Sequence, residues 1–440
     1  MYLLYRILTA LGMFVIAPYY AWRAWRRGEP ARSLAERFGS LPPEVITRAA
    51  VSPGAIWIHA VSVGEVLAAQ PLVERLKHRY PHRAVFVSTT TETGQRLARE
   101  RLRSADGIFY FPLDWVVTVR RALSAIRPSL VIIMETEIWP NFLREARRSE
   151  IPVAFVNARI SERSFARFAR WRFLVGEFYG RVLQDAASFL AQTSDDAARL
   201  REMGAPEERI EVIGNLKYDG SPPSISAFGQ WLQAQVRQQE RWPVLIAGSV
   251  VAEEEEAVLA AYDIVQRQWR HALLVLAPRK PDRFDAAAHI ASSQGWTAIR
   301  RSRVNMRAPL DENADVLVLD SIGELAGLYS LGDAVFVGGS LVPSGGHNIL
   351  EPAWFSKLPV FGPSMENFRD MSNQFLAAKA GVQVSSGPQL GKAWVQLIED
   401  DTLRHLMGKA ARGLCERNQG ATDRALDRLT PLLDATVRPA

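Results

Sequence analysis

Four short segments carry the residues of this chain that could do chemistry. They are His59-Ala60-Val61-Ser62-Val63-Gly64-Glu65, Glu135-Thr136-Glu137-Ile138-Trp139-Pro140-Asn141, Gly214-Asn215-Leu216-Lys217, and Gly338-Gly339-Ser340 running on to Gly345-Gly346-His347-Asn348-Ile349-Leu350-Glu351-Pro352. The first two supply carboxylates and the third an ammonium. The fourth is a glycine-rich entry to a helix. Glu65 opens a helix directly after an apolar run, a position that suits a general base if an acceptor hydroxyl comes within about 3 Å. It equally suits a first-turn glutamate that only meets the helix dipole, and the dipole lowers its pKa. Glu135 and Glu137 close the apolar run 130–134, and strand alternation sends both to one face. They are either a functional pair or a solvated strand end. Lys217 stands just before a linker-like stretch, where it could face a cleft.

In the fourth segment, Gly338, Gly339, Gly345 and Gly346 permit positive φ and close approach of backbone to a ligand. A helix starting near Asn348 presents free N–H groups suited to a phosphate, and Glu351 on its first turn could accept hydrogen bonds from ribose hydroxyls. Asn348 as a cap with Glu351 reaching back is the plain alternative, but it leaves the four glycines unexplained. Arg279, in Ala277-Pro278-Arg279-Lys280-Pro281, can set a guanidinium fork against phosphate, although surface Arg-Lys pairs are common. Asp320-Ser321-Ile322-Gly323-Glu324-Leu325 follows another apolar run, and its backbone could contact a base or ribose.

Repeated strand, loop and helix patterns must position these groups. Apolar runs at 55–59, 84–88, 107–111, 130–134, 153–156 and 188–191 alternate with helical patterns, which predicts a doubly wound parallel sheet. The cadence stalls at Tyr218-Asp219-Gly220-Ser221-Pro222-Pro223-Ser224 and resumes at 244–248, 272–277, 315–319, 334–338 and 360–361. The expected organisation is a membrane anchor segment over 1–30, a Rossmann-like domain over 31–217, to which the family resemblance given below assigns acceptor binding, a linker over 218–234 and a Rossmann-like domain over 235–440, to which that resemblance assigns CMP-sugar binding. The last helix, about 400–432, is free to pack back across both. In such α/β sheets ligands collect at the carboxyl ends of the strands.

Composition narrows the partners. A chain of 440 residues is too long for one core, and 48% apolar content is ordinary for a folded protein. The single cysteine, Cys415, excludes an intrachain disulfide framework. A net charge of +6 favours anionic partners. No zinc-ligand spacing, RNA-recognition signature or low-complexity basic tail is present, so nucleic acid ranks last. Residues 7–21 are mostly apolar, and Trp22, Arg23, Trp25, Arg26, Arg27, Arg32 and Arg37 follow. Tryptophan beside arginine is what a membrane interface selects, and the positive charge keeps the remainder cytoplasmic. The run is short for a full span, so a short span and an interfacial helix both stay open, as does a buried helix. Arg159, Arg163, Arg167 and Arg170 recur along one helical stripe, with Phe165, Phe168 and Trp171 on another side. That pattern suits a membrane surface or a phosphorylated lipid, or else a solvated charged face.

Taken together, the set His59–Glu65, Glu135–Asn141, Asn157–Ser161, Gly214–Lys217, Pro278-Arg279, Ile322-Gly323-Glu324 and Gly338–Pro352 resembles the bacterial lipid A 3-deoxy-D-manno-octulosonic acid (Kdo) transferases. The resemblance covers the whole chain. It implies a GT-B fold, two Rossmann-like domains facing a cleft, and transfer of Kdo from CMP-Kdo to lipid IV-A at the cytoplasmic face of the inner membrane. It implies Glu65 as proton acceptor, and Glu135 and Lys217 as transition-state stabilisers, with Glu135 against Glu137 left open. It implies CMP contacts at Pro278, Arg279, Ile322, Gly323, Glu324, Asn348, Ile349, Leu350 and Glu351. Where the family often has serine-serine the chain has Val61-Ser62, and where it often has histidine the chain has Lys280. With no convincing D-x-D motif and a leaving group bearing one phosphate, no metal and no cofactor are expected. Two other readings stay in view: a membrane-associated GT-B transferase using a UDP-sugar, and a non-catalytic scaffold on anionic lipid.

Overall fold

The computed structural model describes residues 1–12, 31–220 and 222–435. Within them the chain forms two compact units. One comprises residues 1–220 and 418–440, the other 221–417.

The first unit is built on a seven-stranded sheet: β1 (Ala55–His59), β2 (Val85–Thr89), β3 (Gly107–Tyr110), β4 (Pro128–Met134), β5 (Val153–Ala158), β6 (Ser188–Ala191) and β7 (Ile210–Val212). Their order is β3-β2-β1-β4-β5-β6-β7, and every pairing is parallel. The central strands β1 and β4 are buried along their whole length, which is why they read as unbroken apolar runs rather than alternating ones. One layer of the core joins Trp57, Phe86, Phe109, Phe142 and Phe155. The other joins Ile56, Ile58, Leu72, Ile132 and Leu190 with Ala425, Leu429 and Leu433 of a late helix, Ala421–Asp434.

The second unit repeats the plan with β8 (Val244–Val250), β9 (Leu273–Pro278), β10 (Ala298–Arg300), β11 (Val316–Val318), β12 (Ala334–Val337), β13 (Pro359–Phe361) and β14 (Val382–Gln383), in the order β10-β11-β9-β8-β12-β13-β14, again all parallel. Each sheet reverses direction of winding once, between β1 and β4 and between β8 and β12. At such a switch point the flanking loops part and leave a crevice at the carboxyl ends of the strands.

Several boundaries differ from the sequence reading. The stretch 218–234 is only partly a linker. A 3₁₀ turn, Leu216–Asp219, runs into its start, and the helix Ala227–Gln238 occupies its second half. The long final helix divides into Asp401–Arg417 and Ala421–Asp434. Gly420, at φ +89°, turns the chain between them, and the Asp219 carboxylate accepts from its N–H at 2.6 Å. Residues 418–435 therefore complete the first unit rather than the second.

At the amino terminus residues 2–12 are helical. Tyr2 and Tyr5 pack on Phe178, Tyr5 donates to Asp114 at 2.9 Å, and Arg6 pairs with Glu145. Leu3, Leu4, Ile7, Leu8 and Leu11 stay exposed. The tryptophan- and arginine-rich part of the expected anchor, from 13 to 30, lies outside the described residues. Among the described residues no helix is long and apolar enough to cross a membrane.

Candidate active site

Glu65 lies just past β1, on the first turn of the helix Val63–Arg79, and is 6% exposed. One carboxylate oxygen accepts from the Val61 N–H at 2.7 Å, the other from the Ser62 hydroxyl at 2.8 Å. Those two bonds and the helix start favour the anion, yet they lose. Burial raises the pKa to about 7, helped by the nearby charges of Glu135 and Glu137. Desolvation outweighs the lowering by the Val61 and Ser62 bonds, and the shift is opposite to the one expected from the dipole. The result is a carboxylate that exchanges its proton near neutrality, as a general base should. Its lone pairs are not exhausted, because an ionised carboxylate offers about four acceptor sites.

Glu135 and Glu137 do not sit on a strand. β4 ends at Met134, and Glu135 takes a left-handed φ of +55°, so strand alternation does not place them. The turn does: both charges act on Glu65. Lys217, on the 3₁₀ turn Leu216–Asp219, reaches Glu135 at 3.2 Å. Glu135 is therefore the carboxylate paired with the ammonium. Glu137 is pushed up in pKa by burial and then by Glu135. β1 and β4 flank the switch point of this sheet, so its topology brings these groups together.

His59, at the end of β1, is fully buried and stacked on Phe111 at 3.8 Å between ring centroids. Desolvation lowers its pKa to about 3, which favours the neutral imidazole. Its Nδ1 lies 3.0 Å from the Ser88 hydroxyl.

In the second unit the other sequence-derived residues follow β9, β11 and β12. Pro278 ends β9 and Arg279 follows, its N–H donating to Val250 O at 2.8 Å. Asn348 stands one residue before the cap of a short helix, Leu350–Ala353; its Oδ1 accepts from the Leu350 N–H at 3.2 Å, and its amide approaches Glu351 at 3.5 Å. Ile349 and Leu350 are buried. Burial raises the pKa of Glu351 to about 7, against the opposing effects of Asn348 and Arg279. Arg279 therefore acts electrostatically on Glu351, and it also lowers His347. Ile322, 77% exposed, and Gly323, at φ +91° with open space where a side chain would stand, form an uncovered loop. Glu324 is held by Arg301 at 3.0 Å and by the Ser321 hydroxyl at 2.5 Å.

The glycine-rich loop differs from its reading as a phosphate cradle. Glu254, fully buried, already accepts from the N–H groups of Gly339 at 2.6 Å and of Ser340 and Leu341 at 2.8 Å. The chain's own carboxylate fills that nest. The glycines are required by close packing instead. A Cβ on Gly339 would fall 2.3 Å from His347, one on Gly345 2.3 Å from Asn367, and one on Gly346 2.4 Å from Met365. Sequence reading also missed Arg301, whose guanidinium stacks 4.0 Å over Phe228. Neither Glu254, inside a run of four acids, nor Arg301, inside an arginine cluster, carries a local signal.

The basic stripe is trimmed as well. The helix Glu162–Leu183 starts after Arg159, so only Arg163, Arg167 and Arg170 lie on it. Trp171 is exposed rather than packed, together with Phe173 and Leu174.

Comparison with known proteins places these features. The family profile described as 3-deoxy-D-manno-octulosonic-acid transferase (kdotransferase) matches residues 32–220. A 3-deoxy-D-manno-octulosonic acid transferase of Haemophilus influenzae is 32% identical over 92% of each chain. One of Bordetella pertussis is also 32% identical, over 95% of this chain and 97% of its own. Among solved structures, a glycosyltransferase from Rickettsia africae superposes with a TM-score of 0.56 over 86% of this chain and 99% of its own, at 11% identity. That likeness gives the fold, two parallel-sheet α/β units of GT-B-like type.

Proposed function

The chain belongs to the 3-deoxy-D-manno-octulosonic acid (Kdo) transferase family, which makes it a glycosyltransferase, and from that premise we propose that it moves Kdo from CMP-Kdo to lipid IV-A with Glu65 as general base. The observation that carries this reading is the Glu65 environment: a buried carboxylate with a pKa raised to about 7, beside the Glu135–Lys217 pair at the end of β1 and β4. In the reaction the bond between the Kdo anomeric carbon and the phosphate oxygen breaks, and CMP departs with the electron pair. The acceptor's primary hydroxyl forms the new bond and gives its proton to Glu65. Positive charge building on the sugar is met by Glu135, whose geometry Lys217 holds. In the second unit Arg279 and the N–H groups beside Asn348 receive the phosphate, Glu351 the ribose, and the Ile322-Gly323 backbone the base. The single phosphate of the leaving group needs no metal when a guanidinium meets it.

We also propose attachment to the cytoplasmic face of the inner membrane. Leu3, Leu4, Ile7, Leu8 and Leu11 share one face of the first helix, and Phe173 and Leu174 stand exposed on a helix that carries Arg163, Arg167 and Arg170. Apolar groups beside cationic ones suit anionic lipid, and the arginines suit acceptor phosphates.

Mass analysis of lipid IV-A incubated with purified protein and CMP-Kdo tests the reaction. The expected result is a product heavier by one or more Kdo residues, formed with CMP release. Transfer from UDP-sugars instead, or no product with CMP-Kdo, would overturn it.

A further inference from the structure

We infer that Asn157 is a positioning residue that sets the Glu135–Lys217 pair; the inference rests on the Kdo-transfer reading above. β5 and β6 pair in register up to Val156↔Leu190, and the next partners are Ala158↔Ala191. Asn157 is the extra residue of that bulge, at φ +59° and fully buried. A bulge beside a site re-aims a side chain, and here the Asn157 carboxamide reaches the turn that bears Lys217. Its Oδ1 accepts from the Leu216 N–H at 3.0 Å. Its backbone oxygen accepts from Gln192 Nε2 at 3.0 Å, Gln192 Oε1 accepts from Asn215 Nδ2 at 3.0 Å, and Asn215 Oδ1 accepts from the Lys217 N–H at 3.0 Å. The turn bearing Lys217 is thus tied to Asn157 by two routes.

The other partner hangs on the same step of chain. Val156 O accepts from the Glu135 N–H at 2.9 Å, and Glu135 has the second left-handed backbone of the site. One bulge therefore fixes where the carboxylate leaves β4 and where the ammonium arrives, 3.2 Å apart. The arrangement has a cost. Asn157 Nδ2 is buried with no partner among the described residues. A buried donor left unpaired is unfavourable, so the carboxamide is a poor choice for stability alone.

A bare turn residue and a positioning residue separate cleanly at this site. Asn157→Gly keeps the left-handed backbone and removes the carboxamide. It should lower kcat for Kdo transfer by roughly 10–100-fold, the scale of a misplaced catalytic group, with KM for CMP-Kdo unchanged. Asn157→Asp, which keeps an acceptor for the Leu216 N–H, should recover part of that loss. In single turnover with excess enzyme, Asn157→Gly should add little to Lys217→Met, because both act through one pair. Full activity in Asn157→Gly while Lys217→Met is impaired would overturn the inference and leave the function standing. So would the same fractional loss in both backgrounds, which marks a general structural effect. Full activity in Lys217→Met would instead remove the pair from the proposed reaction.

Discussion

At the scale of single residues, Glu65 sets the pH response. A base must be ionised, so kcat/KM should rise with pH through about 7 and level off above it, in a rate profile at limiting substrate. The stability consequence has the opposite sense. The folded state holds the Glu65 proton up to about 7 while the unfolded chain releases it near the ordinary 4.5, so this group's contribution to stability falls as pH rises between those values. Glu65→Gln should cut turnover by roughly 10²–10⁴-fold. Its melting temperature at pH 8 should not drop, since the variant buries no charge and the Ser62 hydroxyl can turn to accept from the amide. A variant with normal turnover would move the base to Glu135 or Glu137. In the second unit, Arg279→Ala and Glu351→Ala should each weaken CMP binding by about 1.5–3 kcal/mol, the worth of a charge-assisted contact. Calorimetry with CMP reads this directly, and unchanged affinity in both would empty the nucleotide site as drawn.

Elements explain why some residues matter without touching substrate. Glu254 ties the helix Glu255–Gln266 to the loop after β12 through its bonds to Gly339, Ser340 and Leu341. Glu254→Ala would leave those buried donors unpaired and should destabilise the protein by roughly 3–5 kcal/mol in urea unfolding. A conservative-looking Gly339→Ala should also destabilise, because the new Cβ meets His347 and the backbone keeps φ +67°. One deletion tests the proposed anchor. Removing residues 1–27 strips the exposed leucines and isoleucine of the first helix together with Trp22 and Trp25, so sedimentation with anionic vesicles should fall. It also strips Tyr5 from Asp114, whose carboxylate accepts from the Asn141 and Phe142 N–H groups at the start of the helix Pro140–Arg148. The melting temperature should therefore drop by a few degrees, on the order of 1 kcal/mol per lost bond. Turnover of detergent-solubilised acceptor should persist, because no group proposed to touch substrate is removed. Full vesicle binding by the truncated protein would shift the anchor to Phe173, Leu174 and the arginines near them.

For the whole molecule, the residues proposed to meet the donor and those proposed to act on the acceptor belong to separate units. CMP should inhibit transfer and UMP should not, and chelation by EDTA should leave the rate unchanged; a rate lost to EDTA and restored by a divalent cation would put a metal into the mechanism. Much of this plan was legible in the sequence, because parallel strands buried on both faces appear as apolar runs. Strands β1, β4, β5, β8, β9 and β12 were visible that way, and with them the positions of Glu65, Glu135 and Arg279. The strands that were missed, β7, β10 and β14, are two- or three-residue edges only partly buried, too short and too polar to stand out. What the tertiary structure alone decided are matters of contact between distant segments. Burial, not the helix dipole, governs the Glu65 proton. Lys217 chooses Glu135 over Glu137. The four glycines answer to His347, Asn367, Met365 and Glu254 rather than to a phosphate. The last helix joins the first unit because its Leu429 and Leu433 find an apolar face there. Local sequence fixes period and turn chemistry, but the desolvation of a charge and the partner of a side chain depend on residues brought close only by the fold.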